Sequence, residues 1–486
     1  MAKAVSSFEL TLDNRPEHQS LTSWLYTQLR LAITDGRLRA ETRFPASRDF
    51  ARQYGVSRGT VVNVFERLQA EGYLSSRVGS GTWVKRVQPT EPVRAPNPTH
   101  PAYIRRAISA YVRPKPWQGL AATQGIRPFS MRAPALDEFP AELWGRLAAR
   151  RARGFQSWLK SDDDGRGYQP LRQAIADYLG SSRGVRCTAD QVIVVSGVQQ
   201  ALDLLARLLL KPGDAVWMED PGYFGATIAL NNIGAHMIPV PVDGEGLSVS
   251  LGRKMCRHAK GVYVTPAHQF PLGMTMSLER RLAVLKWASR TGAFIIEDDY
   301  DSEYRFEGPP VPALQSLDRN SNVIFIGSFN KLLFPKLRIG YAILPRSLVD
   351  LFLAFRCRTD FHNLSADHAV LCDFIVDGHL GRHLRRMRDL YARRLSALID
   401  GGRRYLNGLL KISDIRAGLY TAAFLKNGLT SREAERAASI AGIEVSATDR
   451  YTLKTPDPRA LLLGFAAFDE NTIRTGLIRL AAALDN

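Results

Sequence analysis

AFIIEDDYDSEYRF at 293–306 and IGSFNKLLFPKLRIGY at 326–341 are the stretches on which the reading of this chain turns. In the first, an apolar run ends abruptly in acids. That is the pattern of a buried strand that delivers carboxylates to the C-terminal edge of a sheet, the side on which α/β sheets hold their ligands. Asp298 at such an edge is suited to keep a ring nitrogen protonated, and Tyr300, two residues on, to reach a ring oxygen. In the second, Lys331 follows another apolar strand, with Ser328 just before it and Arg338 seven residues after it. A lysine in a partly desolvated site beside other cations has its amine form favoured, and the amine is the form that makes a Schiff base. Ser328 offers a hydroxyl and Arg338 a planar pair of donors, which suits a phosphate.

The surrounding sequence supplies the frame. QVIVVS, AVWMED, GVYVTP, AFIIEDD, NVIFIGS and RIGYAILP read as strands, interleaved with amphipathic patterns such as VQQALDLLARLLL and LERRLAVLKWASRTG. Strands and helices in alternation predict a largely parallel sheet covered on both faces. In VIVVSGVQQALDLL (192–205) a strand runs through Gly197 into a helix, so the backbone amides from Gly197 through Val198 to Gln199 can receive a phosphate. In EDPGYFGA (219–226), Tyr223 is placed to stack on a flat ring, although an aromatic after Pro-Gly by default only anchors a loop.

The first 86 residues read differently. LTSWLYTQLRLAITD (21–35) spaces Leu21, Leu25, Leu29 and Ile33 about one turn apart, and Gly36 terminates the helix. A second helix is expected in SRDFARQY before Gly55. A third, RGTVVNVFERLQAE, is expected after Ser57 as N-cap, with Val61, Val64, Phe65 and Leu68 facing inward. YLSSRVGSGTWV then predicts a β-hairpin with Gly79, Ser80 and Gly81 at its tip. Two helices joined by a tight glycine turn, the second opening on polar residues, suit the insertion of a helix N-terminus into a DNA groove.

FPASRDFARQYGVSRGTVVNVFERLQAEGYLSSRVGSGTWV (44–84) resembles the winged helix-turn-helix of GntR-type repressors. The large C-terminal part resembles fold-type I aminotransferases, enzymes of pyridoxal 5'-phosphate (PLP). The set SGVQQALDLLARLLLKPGD, EDPGY, TPAHQFPLG, IIEDDYDSEYRF, GSFNKLLFPKLRIGY and GHLGRHLRRMRDLYARR is similar to the MocR/GabR subfamily, which joins the two domains in this order. The resemblance implies an α/β domain with a mostly parallel seven-stranded sheet and a small C-terminal α+β part. The expected domains are 1–86 (winged helix), 87–127 (a Pro/Arg-rich linker) and 128–486 (PLP-binding effector domain). It also implies Lys331 as the internal-aldimine lysine, Asp298 as the pyridine partner and Tyr300 as the ring-oxygen partner. Ser328, Arg338 and the backbone at Gly197 to Gln199 would form the phosphate cradle. DNA contacts are implied for Arg48, Ser57, Arg58 and Thr60, with Gly79, Ser80 and Gly81 in the wing. The implied assembly is a head-to-tail homodimer on double-stranded operator DNA. The implied activity is transcription regulation by PLP or a small amine or amino-acid-like effector, the alternatives being a working aminotransferase with a DNA-binding appendage or a regulator that no longer binds PLP.

Several positions depart from the family pattern. Asn330 replaces the usual serine before the lysine, and Asp162 falls where aminotransferases carry a tyrosine that reaches across the dimer to the phosphate. Leu462 stands where the arginine for a substrate α-carboxylate is expected, so efficient transamination of an ordinary amino acid is not expected. Arg132 occupies a usual glycine position in FSMRAP and is the candidate cation for an effector acid, unless it turns outward or pairs with Asp137 or Glu138. His268, in TPAHQ, is a second effector-pocket candidate.

Composition agrees with these readings. The 486 residues are 45% hydrophobic, enough to bury a sizeable core, and the formal net charge of +18 suggests an anionic partner such as nucleic acid. The arginines of RLAARRARGF (146–155) and RHLRRMRDLYARR (382–394) read as exposed basic helix faces or DNA contacts. Cys187, Cys256, Cys357 and Cys372 form no CxxC pair, so neither a zinc site nor a disulfide framework is indicated. The start lacks a signal-peptide h-region, no run of some 18 apolar residues occurs, and a cytoplasmic protein without membrane contact is expected.

Overall fold

The computed structural model describes residues 10–16, 19–77, 81–85, 125–154, 164–308, 311–360, 366–426 and 428–485. Gly79, Ser80, Asp162 and nearly all of the 87–127 linker lie outside the described residues. The chain divides into two compact units, Met1–Ala122 and Thr123–Asn486.

In the first unit, helices Leu21–Thr34, Ser47–Gln53 and Arg58–Ala70 pack on a three-stranded antiparallel sheet. Its strands are β1 (Arg43–Phe44), β2 (Leu74–Arg77) and β3 (Gly81–Val84), in the order β1-β3-β2. The helical spacing puts Leu25, Leu29 and Ile33 of the first helix and Val61, Val64, Phe65 and Leu68 of the third into one core. Phe50 closes that core, its ring centroid 5.5 Å from that of Phe65. Ser57 caps the third helix by accepting the Thr60 amide at 3.1 Å.

The second unit is built on an eight-stranded sheet. In chain order its strands are β4 (Val192–Val195), β5 (Ala215–Asp220), β6 (His236–Asp243), β7 (Gly246–Leu247), β8 (Gly261–Val264), β9 (Phe294–Asp299), β10 (Val323–Ser328) and β11 (Gly340–Ile343). Their order across the sheet is β4-β11-β10-β9-β8-β5-β6-β7. The two-residue β7 is an antiparallel edge added to the seven strands expected. Pairings β5–β6, β5–β8, β8–β9 and β9–β10 are parallel, and β11 runs antiparallel to both β10 and β4.

Every residue of β4, β8 and β10 is buried, as the uninterrupted apolar runs require for a sheet covered on both faces. Helices Val198–Leu209, Phe224–Asn232 and Arg346–Arg356 supply one layer. Helices Gln169–Arg183, Ala366–Val376 and His379–Tyr405 supply the other. A smaller antiparallel sheet follows, with strands β12 (Leu410–Ile412), β13 (Tyr420–Leu425), β14 (Ser446–Ala447) and β15 (Ala460–Gly464) in the order β12-β13-β15-β14.

The basic clusters are only partly solvated faces. Arg150 and Arg151 bind Asp373, Arg388 donates to the Glu303 carbonyl at 2.6 Å, and Arg394 is buried against the Ala466 carbonyl and Asp137. Arginine's five donors allow this role in helix-to-helix stitching, which periodicity alone does not reveal. No helix among the described residues is long and apolar enough to cross a membrane.

Candidate functional site

The parallel strands end on one edge, and the chemistry collects there. Register sets Ser328 of β10 opposite Gly340 of β11, and Gly340 opposite Val195 of β4. The turn after β4 therefore lies beside the turn after β10. A Cβ on Gly340 would come within 2.9 Å of the Gly197 Cα, so only glycine lets the two backbones close up. Gly197 itself has φ +119 and caps the helix Val198–Leu209, its carbonyl accepting the Gln200 amide at 3.2 Å, while the amides that precede Gln200 face the helix end. A Cβ built on Gly197 would meet the Arg338 guanidinium at 3.8 Å and the Asn330 amide nitrogen at 3.6 Å. Arg338 is exposed and held at φ +54, a left-handed conformation unusual for a residue with a side chain. Ser328 is buried, and its Oγ accepts the Asn330 amide at 3.1 Å. Helix amides, Arg338, Ser328 and the Asn330 side chain thus form a cup rich in donors. Asn330 in place of serine adds a carboxamide donor at its rim.

Asp298 lies next to the last residue of β9. Its Oδ2 accepts the Tyr263 hydroxyl at 2.6 Å, while its Oδ1 is buried without a hydrogen-bond partner. Burial pushes this carboxyl up to about 7, against the lowering effect of the Tyr263 hydroxyl. Lys331 is half-buried and donates to the Met131 carbonyl at 2.7 Å. Desolvation lowers its pKa, although the negative charge of Asp301 opposes the shift. Tyr223 stands close enough to feel the charges of both Asp298 and Arg338, and burial raises its hydroxyl to about 12.

These features fit PLP. An orphaned buried carboxylate oxygen suits a protonated pyridine nitrogen. A desolvated amine suits an aldehyde, and the donor cup suits a phosphate.

The remaining expectations fall differently. Tyr300 bonds to the Tyr420 hydroxyl at 2.8 Å and lies 3.1 Å from His268 Nδ1. His268 is buried, with Nδ1 2.9 Å from Asp301 and Nε2 unpartnered, so it stands behind Tyr300 as support. Arg132 is already engaged: its Nε and Nη2 both donate to Glu444 at 2.8 Å. The partner is neither Asp137 nor Glu138, and the fork is not free for an effector acid. Leu462 is buried on β15 in an apolar cluster with Tyr420, Ala422 and Ala460, against which Met131, Phe270, Tyr300 and Tyr451 pack. In the first unit, Arg48, Ser57 and Arg58 are exposed, Thr60 is half-buried, and Gly81 opens β3. The Ser57 hydroxyl is committed to the cap.

Sequence reading missed Tyr263, the Met131 carbonyl and Glu444. A hydroxyl in the otherwise apolar strand GVYV was the available signal for Tyr263, since a buried tyrosine needs a partner for its oxygen. Glu444 is 312 residues from Arg132 and carries no local signal.

Comparison with known proteins agrees with this layout. Residues 21–84 match the family of bacterial regulatory proteins, gntR family, and residues 147–406 match aminotransferase class I and II. The chain is 41% identical to the probable rhizopine catabolism regulatory protein MocR of Rhizobium meliloti, over 94% of this chain and 92% of that one. It is 30% identical to the HTH-type pyridoxine biosynthesis transcriptional regulator PdxR of Corynebacterium glutamicum, over 97% of each. Among solved structures, the α-aminoadipate aminotransferase LysN of Thermus thermophilus, complexed with N-(5'-phosphopyridoxyl)-L-leucine, is similar. It has 26% identity and a TM-score of 0.68, covering 74% of this chain and 92% of that one.

Proposed function

The chain belongs to the MocR/GabR subfamily of GntR-type transcription regulators, and on that premise we propose that it is a regulator whose aminotransferase-like domain holds PLP on Lys331 and senses through it. The observation that carries this reading is the Asp298 carboxylate, buried with one oxygen on Tyr263 and the other without a partner. An isolated buried carboxylate is expensive to ionise, and an N–H⁺ placed against Oδ1 removes that penalty. Ser328, Arg338, the Asn330 amide and the amides from Gly197 to Gln199 would hold the phosphate, with Tyr223 against the ring face and Tyr300 toward the ring oxygen. Bound there, PLP would supply an aldehyde carbon that primary amines take reversibly and a ring that acts as an electron sink.

Arg58 and Thr60, at the start of the third helix, would read operator DNA together with Arg48 on the second helix and the wing. The protein would act in the cytoplasm as a head-to-tail homodimer, with the 87–127 segment linking the two domains. The effector would be PLP itself or a small amine or amino-acid-like compound; the relatives are named for rhizopine catabolism and for pyridoxine biosynthesis.

The deciding experiment is reduction of the PLP-treated protein with borohydride, followed by peptide mapping. A visible absorbance band should be lost on reduction with the label on Lys331, and Lys331→Ala should show no band. Label on another lysine overturns the assignment. Steady formation of a keto acid from an amino donor would make the protein an aminotransferase instead.

A further inference from the structure

The open side of the Lys331 site is walled by rings. Phe270 is the hub: its centroid is 5.6 Å from that of Tyr223, 6.0 Å from Tyr300, 5.8 Å from Tyr420 and 5.0 Å from Tyr451. Met131, whose carbonyl receives the Lys331 amine, packs with Phe270, Tyr300 and Tyr451 on the cluster that contains Leu462. Met131, Tyr223, Phe270, Tyr300 and Tyr451 are all half-buried, so each keeps part of its surface accessible.

The charge balance of the wall decides what it accepts. Arg132, next to Met131 in sequence, is clamped by Glu444 through two bonds of 2.8 Å, and Ser130 Oγ donates to the same carboxylate at 2.8 Å. Glu444 is anchored in turn by its amide on the Pro128 carbonyl at 2.9 Å. Arg132 and Glu444 cancel each other, Arg450 beside Tyr451 is paired with Glu435 at 2.6 Å, and Arg338, whose charge Tyr223 feels, is the one assigned to the phosphate. An anion placed against such a wall gives up its water without gaining a partner.

We propose that the pocket beside Lys331 takes a primary amine with an uncharged body, one that carries neither carboxylate nor sulfonate. This rests on Lys331 holding PLP. With PLP on Lys331, the incoming amine would form one C=N bond as the lysine's is broken, Lys331 would leave as a free amine, and no oxidant or reductant would be consumed. The aromatic faces accept the apolar body, while the hydroxyls of Tyr300 and Tyr451 are already engaged with Tyr420 and Ser446, each at 2.8 Å.

The test titrates the PLP-loaded full-length protein with matched pairs, phenylalanine against 2-phenylethylamine and β-alanine against propylamine. Binding is followed by the visible band and by calorimetry. The amine of each pair should bind about tenfold to hundredfold more tightly, the span of one charge-assisted hydrogen-bond pair left unmade. Glu444→Gln, at a carboxylate about a third exposed, removes the charge that cancels Arg132 and should narrow each gap by about tenfold. Amino acids binding as tightly as the amines, or no response to either amine while the band is present, overturns the proposal. An unchanged gap in Glu444→Gln overturns its charge-cancellation half. Absence of the band in the parent protein overturns the PLP reading, and this inference with it.

Discussion

The DNA-reading unit and the aminotransferase-like unit assemble their functional surfaces in opposite ways. In the first, the residues proposed for DNA contact come from one stretch, Arg48 to Thr60, and their geometry follows from a turn and a helix cap. The Ser57 hydroxyl closing on the Thr60 amide spans three residues. In the second, the site is closed by residues far apart in the chain. Lys331 meets the Met131 carbonyl across 200 residues, Tyr300 meets Tyr420 across 120, and Arg132 meets Glu444 across 312. Local geometry can be read from short-range propensity, whereas an assembled site depends on how whole layers pack. Damage to the first should therefore be graded and confined, and damage to the second should couple cofactor binding to the stability of a buried network.

The strongest test of that contrast is Asp298→Asn. The carboxyl titrates near 7 in the fold and ordinarily near 3.8, so the folded protein holds an extra proton between those values. Its contribution is fully present below about 3.8, falls as pH rises toward 7, and is flat above. The cofactor-free variant should lose this slope and gain stability at pH 8. The gain is bounded by about 1.4 kcal/mol per pKa unit over the raised interval. The same variant should lose most of its affinity for PLP. Urea unfolding across pH 4 to 8 together with PLP titration checks both, and a variant that keeps the parent's slope would separate Asp298 from the buried-acid account.

Arg58→Ala comes next. It should lose about 1–3 kcal/mol of discrimination between operator and random DNA while leaving the visible band untouched. Gel-shift titrations against both DNAs measure this, and equal weakening on the two would make Arg58 a phosphate contact. Ser57→Ala is the smallest. Loss of the cap should lower the stability of the winged-helix unit by about 1 kcal/mol, read as an earlier unfolding step, with operator preference per folded molecule retained. If preference falls while stability holds, the hydroxyl serves DNA and not the helix.

Much of the fold was legible because its signals are short. The three N-terminal helices, the cap at Ser57 and the hairpin strands follow from spacing and from glycines. β4, β8, β9 and β10 follow from apolar runs that only a doubly covered sheet can use. The acids that end β9 and the lysine after β10 were readable as a candidate site because the C-terminal edge of parallel strands brings their ends together. The basic clusters misled in part. Arg150, Arg151, Arg388 and Arg394 lie on helices whose charged faces turn toward acids and carbonyls of neighbouring elements, and periodicity does not report what a face meets.

Sequence by itself thus determined the family and the order of the two domains, and singled out the lysine and carboxylate proposed for the cofactor. Each of these is written in contiguous residues whose local conformation is set by steric and hydrogen-bonding rules of short range. Only the tertiary structure decided that Tyr263 takes one oxygen of Asp298 and leaves the other unpaired, that Arg132 is neutralised by Glu444, and that Phe270, Tyr300, Tyr420 and Tyr451 close into a wall. Those outcomes depend on which strands become neighbours and on how the small C-terminal sheet meets the segment at 128–132. Charge and hydrogen bonding act through space, and distance along the chain carries no record of them.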